Sequence, residues 1–306
     1  MGISLGANQY GKAETHVVRI TRDGSHHEIR DLTVSIALRG DFAAAHLEGD
    51  QANVLPTDTQ KNVVFAFARE PGVGATEVFA LDLARHFADI CGPVEVARVT
   101  VHETAWGRIT VDGAPHDHAF VRTGHETRTA AVTVQGRGAD QRAWVVSGIQ
   151  DLVVLKSTGS EFRGFLADRY TTLADTDDRV LATSLVIDWR HASATVDDAD
   201  PGAWDDRFTR VRERLLARFA AVHSLALQQT LWEMGKGVLE TEPALDEVRL
   251  KAPNLHHFLV DLQPFGLANP GEVFFAADRP YGLIQANVVR DDAADPGLAW
   301  PDDAVR

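Results

Sequence analysis

A pair of histidines separated by one residue is the first place where this sequence could do metal chemistry. His116 and His118 flank Asp117, and in a strand this spacing puts both imidazoles on one face, where they could bind a transition metal ion. The surrounding turn contains Gly and Pro and supplies no evident third ligand. The single cysteine, Cys91, cannot form an intramolecular disulfide or a cysteine-based zinc or iron–sulfur centre. We therefore expect no resident metal ion.

A glycine pair and several polar clusters are the other candidates for chemistry. Gly72 and Gly74 are not followed by the strand–helix context that a phosphate-binding loop requires, so they predict an ordinary loop. The polar clusters are QYGKAE (9–14), PTDTQKN (56–62), LKSTGSEF (155–162), YTTL (170–173), DRVLAT (178–183), LQQTL (227–231) and PNLHHF (253–258). Taken singly they have ordinary explanations, because an arginine such as Arg179 after Asp178 is typical of a surface ion pair. Lys12 taken alone is typical of a solvated lysine at a strand edge.

The elements that must position these clusters follow one order twice. In the first half, hydrophobic periodicity predicts strands at 10–21 and 28–39, helices at 58–69 and 75–90, and strands at 94–104 and 127–134. In the second half it predicts strands at 144–157 and 179–189, helices at 204–222 and up to about 240, and strands at 248–262 and 281–289. The repeat predicts an α+β fold with tandem domains at 1–138 and 139–290, each an antiparallel four-stranded sheet backed by two helices. Open sheet edges predict oligomerisation, and acidic residues at 291–306 predict a flexible, solvated tail.

Composition and charge restrict the class of protein further. The 306 residues carry a formal net charge of −14, which argues against nucleic acid as the main partner because phosphate binding needs a basic surface. No run approaches the roughly 18 apolar residues of a membrane span. The N-terminus lacks the apolar core of a secretory signal, and the C-terminus is not the Ser-Lys-Leu peroxisomal address. These features favour a cytoplasmic protein.

Together, the polar clusters resemble the urate oxidase (uricase) family, and particularly its bacterial members, in order and near-matching spacing from Gln9 to Val289. LKSTGSEF with YTTL, joined to PTDTQKN and PNLHHFLVDL, is a specific combination, although no single motif is. The resemblance implies the tunnelling fold, with two such domains per subunit in a barrel-like homotetramer. It also implies that each active site lies between two subunits. One chain would supply Lys12 and Thr57, and its neighbour would supply Phe162, Arg179, Gln228, Asn254 and His256.

The resemblance implies a substrate-binding set for a planar anion. Arg179 and Gln228 would grip the two edges of urate, since a guanidinium is a rigid two-pronged donor and an amide both donates and accepts. Phe162 would stack on the purine ring. The backbone groups of Asp58 and Leu227 would make further contacts, and the leucine stands where the family often has valine.

The resemblance also implies a proton relay and a dioxygen site. Lys12 would act as a base, Thr57 as a hydroxyl bridge that also contacts the substrate, and His256 as the group that orients or recharges the lysine. Asn254, with Thr57, would hold dioxygen or water above the substrate ring. His257, on the opposite face of its strand, is expected to be structural.

The implied reaction is the oxidation of urate by dioxygen and water to 5-hydroxyisourate and hydrogen peroxide, without a flavin, haem or metal. Two alternatives stay open on the sequence alone. One is a zinc-dependent purine or pterin hydrolase of the same fold, and the other is a purine-binding protein without catalytic activity.

Overall fold

The computed structural model describes residues 2–194 and 202–301. The chain forms two compact units. Unit 1 consists of Met1–Gly148, Trp189–Phe208 and Asp292–Arg306, and unit 2 consists of Ile149–Asp188 and Thr209–Asp291. Each unit combines antiparallel strands with helices, so the predicted α+β class is confirmed. Within the described residues, no helix is both long enough and apolar enough to cross a membrane.

In the described residues up to Gln135, unit 1 contains four consecutive antiparallel strands and three α-helices. The strands are β1 (Tyr10–Asp23), β2 (His26–Gly40), β3 (Val94–Val111) and β4 (Ala114–Gln135), and each pairs with the next. The helices are α1 (Ala43–Leu47), α2 (Thr57–Phe67) and α3 (Thr76–Ile90). The predicted alternation in the second strand is confirmed, because Leu32, Val34, Ile36 and Leu38 are all buried.

The core of unit 1 lies between this sheet and its helices. Phe79, Leu83 and Phe87 of α3 follow the four-residue spacing of one helix face and are fully buried. They share one hydrophobic cluster with the inward residues of the sheet and with Val64 of α2. The helices therefore cover one face of the sheet, and groups on that face are held in a packed environment.

Unit 2 holds the second set of strands and helices. The elements are β5 (Arg142–Lys156), β6 (Leu181–His191), α4 (Ala203–Ala221), α5 (Leu227–Thr241), β7 (Leu245–Leu259), β8 (Phe274–Ala277) and β9 (Leu283–Val289), and β5, β6 and α4 extend partly into unit 1. Residues 157–180 form a long loop between β5 and β6. β7 pairs first with β9 and then, beyond Pro253, with the short strand β8, which hydrophobic alternation did not predict.

The C-terminal segment differs from the sequence-based prediction. Acidic composition predicts a solvated tail at 291–306, but the described part packs against the rest of unit 1. Arg98 donates to the carbonyl oxygen of Ala299 (2.9 Å), Arg190 donates to that of Ala294 (2.9 Å), and Ala299 is fully buried. Gly297 lies so close to Trp144 that a Cβ there would be 2.5 Å from the indole nitrogen. Side-chain donors elsewhere in the chain thus anchor this segment, and residues 302–306 lie outside the described residues.

Candidate active site

Lys12 occupies a place in β1 where the strand register shifts. Lys12 pairs with Ile36, but the next regular pair is Thr15 with Val34, so β1 has one more residue than β2 over this interval. Directly opposed residues in antiparallel strands share a sheet face. Since Ile36 is buried, Lys12 lies on the face that the helices cover. Glu14, inside the irregular stretch, has a positive φ of 54°.

Gly11 makes this local geometry possible. A Cβ at this position would lie 1.8 Å from the carbonyl oxygen of Ile36, so the strands approach more closely than any side chain allows. The backbone beside Lys12 is therefore fixed by the strand pair.

Thr57 and Asp58 begin α2, and two side chains hold the approach to that helix. The N–H of Leu55 donates to the hydroxyl oxygen of Tyr10 (2.9 Å), and the Gln60 amide donates to the carbonyl oxygen of Leu55 (3.2 Å). Tyr10 is two residues from Lys12, so this contact joins the lysine strand to the start of the helix.

The backbone at the start of α2 can receive an anion. The first N–H groups of a helix have no partner inside the helix and point along its positive dipole end. The Asp58 carboxylate bonds to its own helix, at Lys61 and Asn62. The hydrogen bond from Lys61 is the main cause that lowers the pKa of Asp58, and the charge of Lys12 contributes in the same direction. Asp58 therefore belongs with Lys12 and Thr57 in one group of unit 1.

Phe162 and Arg179 come together in the long loop of unit 2. Phe162 and Thr176 exchange two backbone hydrogen bonds of 2.9 Å, and the N–H of Arg179 donates to the carbonyl oxygen of Ser160 (2.8 Å). The central guanidinium carbon of Arg179 lies 5.0 Å from the centroid of the Phe162 ring. The loop thus forms an aromatic surface with a cation beside it.

The Arg179 guanidinium carries a charge that the described residues do not neutralise. The side chain is partly buried, and in residues 2–194 and 202–301 it makes no ion pair while its Nε atom has no hydrogen-bond partner. Burial lowers the pKa of Arg179, although a guanidinium stays protonated at neutral pH. A buried donor without a partner suits an anionic ligand.

Leu227 and Gln228 form the first turn of α5, next to this loop. The N–H of Ser224 donates to the carbonyl oxygen of Gly159 (2.9 Å), and the N–H of Glu161 donates to that of Ser224 (2.8 Å). The segment before α5 is therefore bonded to the loop that carries the aromatic ring. The Leu227 side chain is buried and the Gln228 side chain is exposed, which leaves the backbone of one and the amide of the other available.

Asn254 and His256 lie on β7 where the strand changes partner. The N–H of Asn254 donates to the carbonyl oxygen of Gly282 (2.9 Å), and His256 pairs with Ala277. Two residues apart in a strand, they share one face. An open, largely apolar groove of about 310 Å³ includes His256, Leu155 and Ala182 in its lining. His257 bonds through Nδ1 to the carbonyl oxygen of Leu255 (3.0 Å).

The histidine pair near the β3–β4 turn has a structural setting. Arg108 donates to the carbonyl oxygens of His116 (3.1 Å) and Asp117 (2.6 Å), so a cation already lies beside these residues. In the described part of the chain, no group of three or more His, Cys, Asp or Glu side chains is arranged to hold a metal ion.

The sequence motifs gave no role to three residues that support the site. Tyr10 holds Leu55 as described, and Asp178 bonds inside the long loop, to Thr158 (2.7 Å). Phe165 stacks on Phe162 with centroids 4.8 Å apart and rings inclined by 17°. The spacing of two aromatic residues around Gly164, which has a positive φ of 67°, was the available signal for Phe165.

These features define an α+β protein with two sheet-and-helix units, whose polar groups suit a small planar anion. A family model described as Uricase matches residues 8–133 and 145–285, and the chain belongs to the uricase family. It is 50% identical to the uricase of Arthrobacter globiformis over 97% of this chain and 94% of that protein. It is 34% identical to the uricase of Danio rerio over 93% of this chain and 94% of that protein. The crystal structure of the Arthrobacter globiformis uricase is similar with a TM-score of 0.88 at 50% identity, covering 96% of this chain and 98% of that one.

Proposed function

We propose that this protein oxidises urate with dioxygen and water to 5-hydroxyisourate and hydrogen peroxide. The observation that carries the proposal is the Arg179 guanidinium, partly buried and without an ion pair in the described residues, beside the Phe162 ring and in a loop bonded to the segment before α5. Membership of the uricase family supports the same substrate.

In the proposed binding mode, urate stacks on Phe162 as an anion. Arg179 donates to one edge of the purine, and the Gln228 amide donates to and accepts from the opposite edge. The N–H groups of Asp58 and Leu227 at two helix starts complete the contacts.

In the proposed chemistry, Lys12, Thr57 and His256 move the proton whose loss makes urate electron-rich. The urate dianion passes electrons to dioxygen held at Asn254 and Thr57, and a hydroperoxide forms at C5. Water then displaces the hydroperoxide at C5, so the C5 hydroxyl oxygen of 5-hydroxyisourate comes from water, and both oxygen atoms of dioxygen leave as hydrogen peroxide. Because urate is itself the reductant, the proposed reaction needs no flavin, haem or metal.

The proposed assembly is a cytoplasmic homotetramer with tunnelling-fold domains at 1–138 and 139–290 and an active site between subunits. Lys12, Thr57 and Asp58 of one chain would face the unit 2 group of a second chain. β1 lies at the end of the unit 1 strand order, and Phe258, with its neighbours on the β7–β8 hairpin, exposes apolar surface. Both features support burial against another copy.

The proposal is tested by incubating metal-stripped protein with urate and oxygen while following urate loss and peroxide formation together. Lys12→Met should lower kcat and spare the KM for urate, whereas Arg179→Ala should mainly raise KM. Activity that appears only after zinc is added would favour the zinc-dependent hydrolase. Urate binding without oxygen uptake would favour the non-catalytic binding protein.

A further inference from the structure

We infer that Thr158 and Gly159 hold the Asp178 carboxylate away from the guanidinium of Arg179, which keeps this group available for an anionic substrate. Thr158 is then a positioning residue of the site, and Asp178 is the competing charge that it restrains. This inference rests on the proposed function, because it assumes that Arg179 binds the substrate anion.

Both oxygens of the Asp178 carboxylate accept hydrogen bonds from groups other than the Arg179 guanidinium. Oδ2 accepts a hydrogen bond from the Thr158 hydroxyl (2.7 Å), and Oδ1 accepts one from the N–H of Gly159 (2.9 Å). Gly159 has a positive φ of 73°, a conformation that most side chains disfavour. The Thr158 hydroxyl is the largest cause that lowers the pKa of Asp178, and the backbone N–H groups of Ser160, Gly159 and Arg179 contribute in the same direction, so the group is a full negative charge at neutral pH.

The backbone on either side of Asp178 is also fixed. The carbonyl oxygen of Asp178 accepts a bond from the Thr176 hydroxyl (2.8 Å), and the N–H of Arg179 donates to Ser160 (2.8 Å). The guanidinium lies over Phe162 instead of beside the neighbouring carboxylate. A sequence neighbour of opposite charge is thus kept out of an ion pair.

The loop hydrogen bonds prevent the Asp178 carboxylate from competing with urate for the Arg179 guanidinium. A carboxylate released from Thr158 could rotate toward the cation next to it in the chain. Urate would then have to displace it, and a charge-assisted hydrogen bond would have to be broken before the substrate could form its own. Substrate affinity would fall, while the chemical step after binding would be unaffected.

The test is Thr158→Val, which keeps the shape of the side chain and removes the hydroxyl. We expect the KM for urate to rise about 5- to 20-fold with kcat unchanged. Adding Asp178→Asn in the double variant removes the competing charge, so KM should return to within about twofold of the wild type. Asp178→Asn alone should leave KM equal to or below the wild-type value.

Thr176→Val is the matched control, because it removes a hydroxyl from the same loop without freeing the carboxylate. Any KM change that it causes should not be rescued by Asp178→Asn. An unchanged KM in Thr158→Val, or no rescue in the double variant, overturns the inference. A KM increase in Asp178→Asn alone would also overturn it, since a purely structural carboxylate predicts that result.

Failure of the proposed function is distinguishable from failure of this inference. If the wild-type protein does not oxidise urate, the activity proposal fails. Calorimetric titration with urate under anaerobic conditions still ranks the affinities of the wild type, Thr158→Val and the double variant. The expected order is weak binding for Thr158→Val and near wild-type binding for the double variant, and any other order contradicts the inference.

Discussion

α3 and α5 are each the last helix before the strands resume, and their first turns differ in whether a side chain of the protein neutralises and buries them. At the start of α3 in unit 1, Glu77 is only 1% exposed, bonds to Arg128 (2.7 Å), and accepts a hydrogen bond from Ser147 (2.6 Å). At the start of α5 in unit 2, Gln228 is exposed. The first turn of α3 thus carries a buried carboxylate that is paired within unit 1, whereas the first turn of α5 carries an exposed amide.

The network in unit 1 extends beyond the ion pair. Since Ser147 donates to Glu77, its oxygen accepts from Nε2–H of His191 (2.8 Å), which sets a neutral tautomer for that ring. Burial is the main cause that lowers the pKa of His191 well below its usual value, and the charges of Arg207 and Arg128 add to it. Glu77, Ser147 and His191 are thus joined by hydrogen bonds within unit 1, whereas the buried Nε atom of Arg128 has no hydrogen-bond partner among the residues that the structure describes.

The strand connections show the same contrast. β1 and β2 are joined by a tight turn, since Asp23 pairs with His26, whereas 157–180 form the long loop between β5 and β6 that carries Phe162 and Arg179. In unit 1 the start of α3 is thus occupied by a buried network of side chains. In unit 2 the start of α5 exposes the Gln228 amide, and the nearby loop carries the Arg179 cation.

The largest effect on stability is expected from Glu77→Gln. Loss of the charge leaves a buried Arg128 without its inner partner, so the free energy of unfolding should fall by about 3–5 kcal/mol. Urea denaturation followed by tryptophan fluorescence measures this loss, with the exposed Glu48→Gln as the control. The KM for urate should stay within about twofold. A raised KM at unchanged stability would mean that the α3 site is functional.

The matching change in unit 2 is Gln228→Ala. Hydrogen bonds to an anion contribute about 1.5–3 kcal/mol, so kcat/KM for urate should fall roughly 10- to 150-fold while unfolding is unchanged. Gln229→Ala is the control, because that amide accepts the N–H of Leu225 (3.0 Å) and should affect mainly stability. Equal losses of activity in the two variants would remove the distinction between the first turns of α3 and α5.

The buried, neutral His191 should make the free energy of unfolding depend on pH. Folded His191 stays neutral because its pKa is depressed, while the unfolded histidine takes up a proton below about pH 6.5. Stability should therefore be lost as pH falls, by about 1.4 kcal/mol per pH unit from this residue. His191→Gln should have a flatter profile between pH 7 and pH 5 in denaturation experiments. Parallel profiles for the two proteins would contradict this role.

The smallest expected effect is that of Tyr10→Phe. The ring should keep its edge-to-face contact with Phe42 (4.7 Å), and only the bond to Leu55 is lost. We expect a loss of about 0.5–1.5 kcal/mol in unfolding free energy and a kcat reduced by a few-fold through displacement of Thr57. Urea denaturation measures the stability loss, and stopped-flow measurement of the first turnover detects the reduced rate. A larger effect on KM than on kcat would place Tyr10 in substrate binding instead.

Local periodicity was sufficient to predict most elements of the fold. The alternation of Leu32 to Leu38 predicted β2. The hydrophobic residues of 204–222 predicted one buried helix face, and of these Val211, Leu215 and Phe219 are buried, whereas Phe208, Leu216 and Val222 are partly buried. β8 and the anchoring of the C-terminal segment were not predictable in this way. They depend on partners far away in the chain, such as Arg98 for Ala299, which a local pattern does not contain.

The site shows a similar division. Motif combinations led to Arg179, and its contact with Phe162 agrees with a shared role. Taken alone, an arginine after Asp178 is typical of a surface ion pair, yet that carboxylate bonds to Thr158 and Gly159. Adjacency in sequence does not determine which side chains meet, because loop hydrogen bonds decide their directions. The assignment of Lys12, Thr57 and His256 to one relay stays a prediction.

The irregular stretch of β1 has a consequence for redesign of this enzyme. Before the shift even-numbered residues face the helices, as Tyr10 and Lys12 do, and after it odd-numbered residues do, as Thr15 and Val17 do. A redesign that straightened the strand with every residue kept would turn the amine to the outer side. Shortening the stretch by one residue would keep it inward. The number of residues between Lys12 and Thr15, and not side-chain chemistry, determines which face of the sheet the Lys12 amine occupies.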